Sequence, residues 1–231
     1  MRRLWVIPVY AILTALVALS TGCSLVDARI SEDFRTSYPK APATLTVQNP
    51  VGAMDVEAWD QPGIEIVAHK RGPTLDAVNA IKIEVESKGS TLSVNSIFPM
   101  TANNVKVDYT IHTPASTALN LVQSVGAIKS AGFTGDVQEH TSTGAIEASM
   151  AALGGTQRVH MDVSVGAIKL TLPANTSASV TANTSVGAIK TDFPLAVNRT
   201  VVGQNASGKI GDGAAVLDLS IATGAIDIQR E

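Results

Sequence analysis

The chain has 231 residues, enough for one large or two small domains, and its hydrophobic share of 45% is enough for a packed core. Aromatic residues make up only 4%, so thin, regular layers of Val, Ile, Ala, Ser and Thr, and with them β structure, are expected in place of one bulky centre. Seventeen basic against 20 acidic residues give a net charge of −3, or −5 without Arg2 and Arg3, which excludes the basic stripe of a nucleic-acid binder.

Arg2 and Arg3 precede an apolar run from Leu4 to Leu19 that ends in Ser20, Thr21, Gly22 and Cys23. This is the pattern of a secretory signal over residues 1–22, and it is shorter than the roughly 20 apolar residues a membrane-spanning helix needs. The stretch LSTGC resembles the lipobox of bacterial lipoproteins, which implies lipidation of Cys23 as the first residue of the mature chain. Ser20 stands where leucine is usual in that motif, and the alternative is an ordinary cleaved signal that happens to contain a cysteine. Cys23 is the single cysteine, so the chain forms no intrachain disulfide and offers no thiol cluster to a metal. In diderm lipoproteins of this kind, Ser24 in the position after the cysteine goes with delivery to the outer membrane. The expected location is the bacterial cell envelope, with the exported chain held to the membrane by its N-terminal lipid.

Residues 23–43 are polar and irregular, with Pro39 and Pro42, and are expected to form a tether. A β-strand region is expected over 44–114. TLTVQ, MDVEAW and IEIVAH predict three strands, with DQPG (Asp60 to Gly63) turning the chain between the last two. A short helix is predicted over TLDAVNA, capped by Thr74. IKIEVES and TLSVNS predict a hairpin that directs Ile81, Ile83, Val85, Leu92 and Val94 inward. VKVDYTIH repeats the alternation with Val105, Val107, Tyr109 and Ile111.

After Pro114 the texture becomes a repeat. The word SVGAIK occurs at residues 124–129, 164–169 and 185–190, and marker glycines fall at Gly126, Gly144, Gly166, Gly187, Gly208 and Gly224. Two residues after each comes an isoleucine: Ile128, Ile146, Ile168, Ile189, Ile210 and Ile226. The mean spacing of about 20 residues suits a solenoid. Residues 115–231 are therefore expected to stack as coils, one marker per rung in chain order, with the isoleucines forming an interior ladder about 4.8 Å per step. Strand alternation puts the small residue two before each glycine (Ser124, Ser142, Ser164, Ser185, Ala206, Ala222) on the isoleucine face. A second strand per coil is expected in DVQEHTS, QRVHMDV, ASVTANT and AVLDLSI. The glycines either leave room for an opposite wall or permit a bend that a Cβ would obstruct. Lys129, Glu147, Lys169 and Lys190 then form an outward charged ladder.

The opening LTVQNPVGAMDVEAWD and the later VDYTIHTPASTALNLVQSVGAIKSAGFTGDVQEHTSTGAIEA resemble the bacterial putative-adhesin family of β-strand-repeat domains, number 4097 in the series of domains of unknown function. The resemblance covers about residues 44 to 231. It implies a surface-exposed β-solenoid, often on lipoproteins or beside membrane segments, with roles in adhesion or envelope-stress sensing. It carries over no catalytic residue. The fold class expected is all-β, antiparallel strands continuing into a β-solenoid.

Several constellations bear on chemistry. His140, His160 and Asp162 share one predicted face and are the best metal candidate, against the simpler reading of solvated surface side chains. SGKIGDGAAVLD has the look of a phosphate or calcium loop, but Lys209 lacks a following Ser/Thr and an Asp212-Gly213 turn explains the stretch. Asp55 and Glu57 are a carboxylate pair two apart on one strand. Trp59, Tyr109, Phe98, Phe133 and Phe193 are scattered along the chain and show no sugar platform. The expected function is a non-enzymatic, adhesin-like binding or scaffolding module with an unknown envelope protein or polysaccharide as partner, without cofactor or metal. The alternatives are a carbohydrate-active enzyme on a β-helix and an envelope-stress sensor.

Overall fold

The computed structural model describes residues 30–99 and 104–231, so the signal segment and Cys23 lie outside the described residues. The strands are β1 (Ile30–Tyr38), β2 (Thr44–Trp59), β3 (Ile64–Gly72), β4 (Lys82–Lys88), β5 (Thr91–Ile97), β6 (Lys106–Pro114), β7 (Ala118–Phe133), β8 (Val137–Met150), β9 (Arg158–Leu172), β10 (Ala178–Thr191), β11 (Ala196–Arg199), β12 (Gln204–Ile210) and β13 (Ala215–Arg230). A single short helix among the described residues, α1 (Leu75–Asn79), is capped by the Thr74 hydroxyl accepting from the Ala77 amide.

Among the described residues one sheet runs β1-β3-β6-β2-β7-β8-β9-β13-β10-β12-β11, with the hairpin β4–β5 joined to β2 through β5. The fold is all-β and solenoid-like. The sheet crosses residue 114 without interruption, because β2 pairs in parallel with β7. Residues 30–38, expected within a tether, instead form β1, which pairs antiparallel with β3 along its whole length. TLTVQ and MDVEAW are not separate strands but two arms of β2. The segments expected as second strands of each coil are likewise first arms of the long strands β8, β9, β10 and β13.

Each long strand bends at its glycine. Before the bend Leu119, Leu121 and Gln123 are buried; after it Ile128 and Ser130 are, so the buried parity changes from odd to even. Ser124 and Val125 face solvent in between. The expected sharing of a face between the small residue and the isoleucine therefore fails in the long strands; it holds on β12, where Ala206 and Ile210 are both buried. Strand alternation holds only while the backbone stays extended, and φ of +134° at Gly126, like +149° at Gly144 and Gly166, interrupts it. Both arms send their apolar side chains into one core cluster.

The glycine column explains itself at atomic distance. A Cβ at Gly126 would lie 1.6 Å from the Gly52 carbonyl oxygen, one at Gly144 1.8 Å from that of Gly126, and one at Gly166 1.6 Å from that of Gly144. The space reserved by each missing side chain is filled by the next rung's backbone, not by an opposite wall.

The order of the rungs departs from chain order. In register the column reads Gly52, Gly126, Gly144, Gly166, Gly224, Gly187, because β13 inserts between β9 and β10. Gly52, inside NPVGAM, opens the ladder with Met54 in the isoleucine position. Gly208 and Ile210 leave it: β12 runs antiparallel to β10, pairing Gly208 with Val180 and Ile210 with Ala178. The buried column is thus Met54, Ile128, Ile146, Ile168, Ile226 and Ile189, each at most 8% exposed. Each side chain so buried contributes about 1.5 to 3 kcal/mol relative to exposure.

Candidate binding surface

The in-register bends create three outward zones. The first is the bend itself, where Val51, Val125, Thr143, Val165, Thr223 and Val186 line up in one exposed column. The second, on the arms after the glycines, is a charged column reading Asp55, Lys129, Glu147, Lys169, Asp227, Lys190. Its signs alternate at every step. Stacking in chain order would have set Lys169 beside Lys190; the insertion of β13 puts Asp227 between them. Lys169 Nζ donates to Glu147 Oε1 at 3.0 Å, and Lys190 Nζ stands 3.7 Å from Asp227 Oδ2. Such exposed pairs contribute little each, and their regular spacing is what makes the surface distinctive.

The third zone covers the arms before the glycines, where amide, hydroxyl, imidazole and carboxylate side chains alternate with the buried ones. Gln48, Val122, His140, Asp162, Ser220 and Asn183 form one row, and Thr46, Asn120, Gln138, His160, Asp218 and Thr181 the next. His140 Nδ1 lies 2.8 Å from Asp162 Oδ2, and His160 Nδ1 lies 3.3 Å from Asp218 Oδ2. The three residues singled out for a metal do share the outer face, but Asp218 of β13 takes His160 away from them. Among the described residues no group of three His, Cys, Asp or Glu side chains has a metal-binding arrangement. Lys209 sits on β12, and residues 211–213 form the expected turn, with φ of +56° at Gly211 and +71° at Gly213.

Inside the bend, polar side chains satisfy backbone groups that the corner frees. Gln123 Nε2 donates to the carbonyls of Gly52 and Val125, and Asn49 Nδ2 donates to Val107 O at 2.8 Å. At the end of the ladder, Gln204 Oε1 accepts from the Ile189 amide at 2.8 Å, closing an edge that β12 leaves uncovered. Glu139 differs from these. It stands between Leu121 and Met161 in an apolar column, fully buried, with neither carboxylate oxygen hydrogen-bonded. Burial pushes its pKa up to about 7; the Ser130 hydroxyl across the core pulls the other way without reaching hydrogen-bond geometry.

The aromatic residues are less scattered than the sequence suggests. Tyr109 and Phe133 are core, Tyr109 bonding Ser96 Oγ at 2.7 Å, and Phe193 is buried under the Arg230 guanidinium. Trp59 instead reaches the surface at the end of β2, stacked on His112 of β6 with ring centroids 5.5 Å apart. Tyr38, at the end of β1, lines the same cleft as Trp59. Sequence reasoning missed this pairing because it placed Tyr38 in a tether. The carboxylates Asp55 and Glu57 belong to different settings, Asp55 to the charged column and Glu57 to His112, whose Nε2 is 3.8 Å from Glu57 Oε2.

A family model described as Toastrack DUF4097 matches residues 36–229. Among solved structures, a "putative cell adhesion protein" from Clostridium sporogenes ATCC 15579 aligns with a TM-score of 0.60 at 14% identity, covering 87% of this chain and 100% of that one. A "putative adhesin" from Bacteroides fragilis NCTC 9343 aligns with a TM-score of 0.35 at 14% identity, covering 87% and 97%. No curated protein matches this chain in sequence.

Proposed function

Since the chain belongs to the Toastrack DUF4097 family, we propose that it is a non-enzymatic binding module of the bacterial cell envelope, held to the membrane through lipidated Cys23. The observation that carries this reading is the register of the six glycine-marked rungs. It turns a short sequence word into flat, repeating outward columns of polar and charged side chains, a surface suited to an extended partner. The partner is an envelope protein or polysaccharide. The adhesion named for the Clostridium sporogenes structure and the lipobox-like LSTGC both support this reading.

Two measurements test it. Cells expressing the full chain and fed a labelled fatty acid should incorporate label into the protein, and Cys23→Ser should abolish it; label that persists in the variant overturns the anchor. The full chain in detergent should retain a discrete component from envelope extracts, and lose it when Glu147, Lys169 and Asp227 are neutralised together. Retention of nothing, or retention that survives this and a matching neutralisation of His140, Asp162, His160 and Asp218, overturns binding through the ladder faces.

A further inference from the structure

The cleft between β1 and the turn after β2 has the makings of a saccharide site. It has a volume of about 600 Å3 and its walls include Tyr38, Trp59, Gln61 and Glu65. The indole is fixed from two sides. Its Nε1 donates to Gly63 O at 3.0 Å, and one ring face lies on the His112 imidazole at an interplanar angle of 22°. Held in this way, the indole forms a rigid aromatic platform in the wall of the cleft, already ordered before any ligand arrives.

The hydrogen-bonding groups sit beside that platform. Register places Ser37 opposite Glu65, Glu65 opposite His112, and His112 opposite Glu57, so one row across β1, β3, β6 and β2 carries hydroxyl, carboxylate, imidazole and carboxylate in turn. Glu65 lines the cleft with a planar pair of acceptor oxygens and Gln61 with an acceptor beside a donor, groups that vicinal hydroxyls can pair with. Tyr38 and Pro62 also form the wall of an adjoining cavity of about 680 Å3, where Lys40, Ser87, Ser90 and Ser116 supply further donors. Both volumes fall within the roughly 300–1,000 Å3 of ligand pockets, and the two cavities share Tyr38 and Pro62 in their walls.

We propose that this groove binds an oligosaccharide, with one pyranose stacked on Trp59 and its hydroxyls held by Glu65 and Gln61. A proline-rich peptide is the competing occupant for a groove lined by tyrosine, tryptophan and proline. The polar side chains on its walls, Ser37, Gln61 and Glu65, favour a ligand rich in hydroxyl groups. This inference rests on the binding-module reading and names the ligand class for it.

The chain carries two tryptophans, Trp5 and Trp59, so a full chain with Trp5→Phe reports on the cleft through a single fluorophore. That protein should be titrated with members of a panel of neutral, amino and acidic oligosaccharides and with a proline-rich peptide. Saturable quenching or a blue shift by at least one neutral or amino oligosaccharide is expected. Binding followed by calorimetry should weaken about 10-fold or more in Trp59→Ala and be largely kept in Trp59→Phe. Glu65→Gln, which leaves the indole in place, should weaken it about 10-fold, the scale of one lost charge-assisted hydrogen bond. A silent panel, affinity unchanged from the parent protein in both Glu65→Gln and Trp59→Ala, or binding of the peptide alone overturns the proposal. Should the panel be silent while the full chain still retains its envelope component through the ladder faces, the saccharide site falls and the binding module stands.

Discussion

The ladder and its cap use the same sequence word for opposite ends. Gly166 and Gly208 both precede Ile by two residues and both stand two after a small residue, yet one is locked into the column and the other lies on the antiparallel β12. A Cβ at Gly166 would meet backbone oxygen at 1.6 Å, whereas at Gly208 its nearest neighbour is Leu195 Cδ2, the mobile end of a side chain, at 3.2 Å. A motif in a stacked fold gains its meaning from the neighbour it faces, and neighbours are chosen by topology.

The sharpest way to break this contrast is Gly166→Val. Strained φ and overlap with Gly144 O act together, so the variant should lose more than about 4 kcal/mol and unfold neighbouring rungs with its own, read as loss of a cooperative urea transition. Gly208→Ala overlaps no backbone and carries only the strain of φ at +159°, so it should cost about 1 to 3 kcal/mol in the same assay. Equal losses would mean that the cap is packed as tightly as the ladder.

Next in size is Glu139, the one ionisable group within the buried columns of the ladder. Its folded pKa of about 7 stands above its ordinary 4.5, so the folded state holds the proton more tightly than the unfolded chain. Its contribution is fully present below pH 4.5 and is lost as pH rises through 7. Glu139→Met, which matches the neighbouring Met161, should remove this dependence and gain about 3 kcal/mol over the wild type at pH 8 relative to pH 4, as measured by denaturation at both pH values. A difference between the two proteins that stays constant with pH would show that the carboxyl is hydrated.

Ile189→Val trims the final rung, where the column is 8% exposed, and should cost about 0.5 to 1.5 kcal/mol. The smallest effect belongs to the outward charges. Lys169→Ala should change stability by no more than about 1 kcal/mol, and Asp227→Lys, which restores like charges beside Lys169 and Lys190, should cost somewhat more at low salt than at high salt.

Much of this architecture was legible in residue order. The Gly-x-Ile period gave the stack and its buried column, and alternation gave the inward faces of β4, β5 and β6, because both depend on local backbone geometry. Gly52 could have been found by allowing Met for Ile in VGAM, and Lys209, standing where the other five marker glycines are followed by alanine, sets Gly208 apart. The surface was harder to read. The charged column was recognisable in part from Lys129, Glu147 and Lys169, but its alternation needed Asp55 and Asp227, whose rungs are distant or out of order in sequence.

Sequence alone determined that this chain would stack Gly-x-Ile rungs with branched aliphatics inside, since side-chain parity along one arm is a property of a few consecutive residues; the bend at each glycine and the change of parity there came only with the structure. Only the tertiary structure decided which strand lies beside which: that β13 enters between β9 and β10, and that Tyr38 comes to Trp59. Those pairings join residues far apart in the chain, and equivalent rungs offer one another nearly the same apolar edge, so the choice among them is settled by how the whole sheet closes its ends.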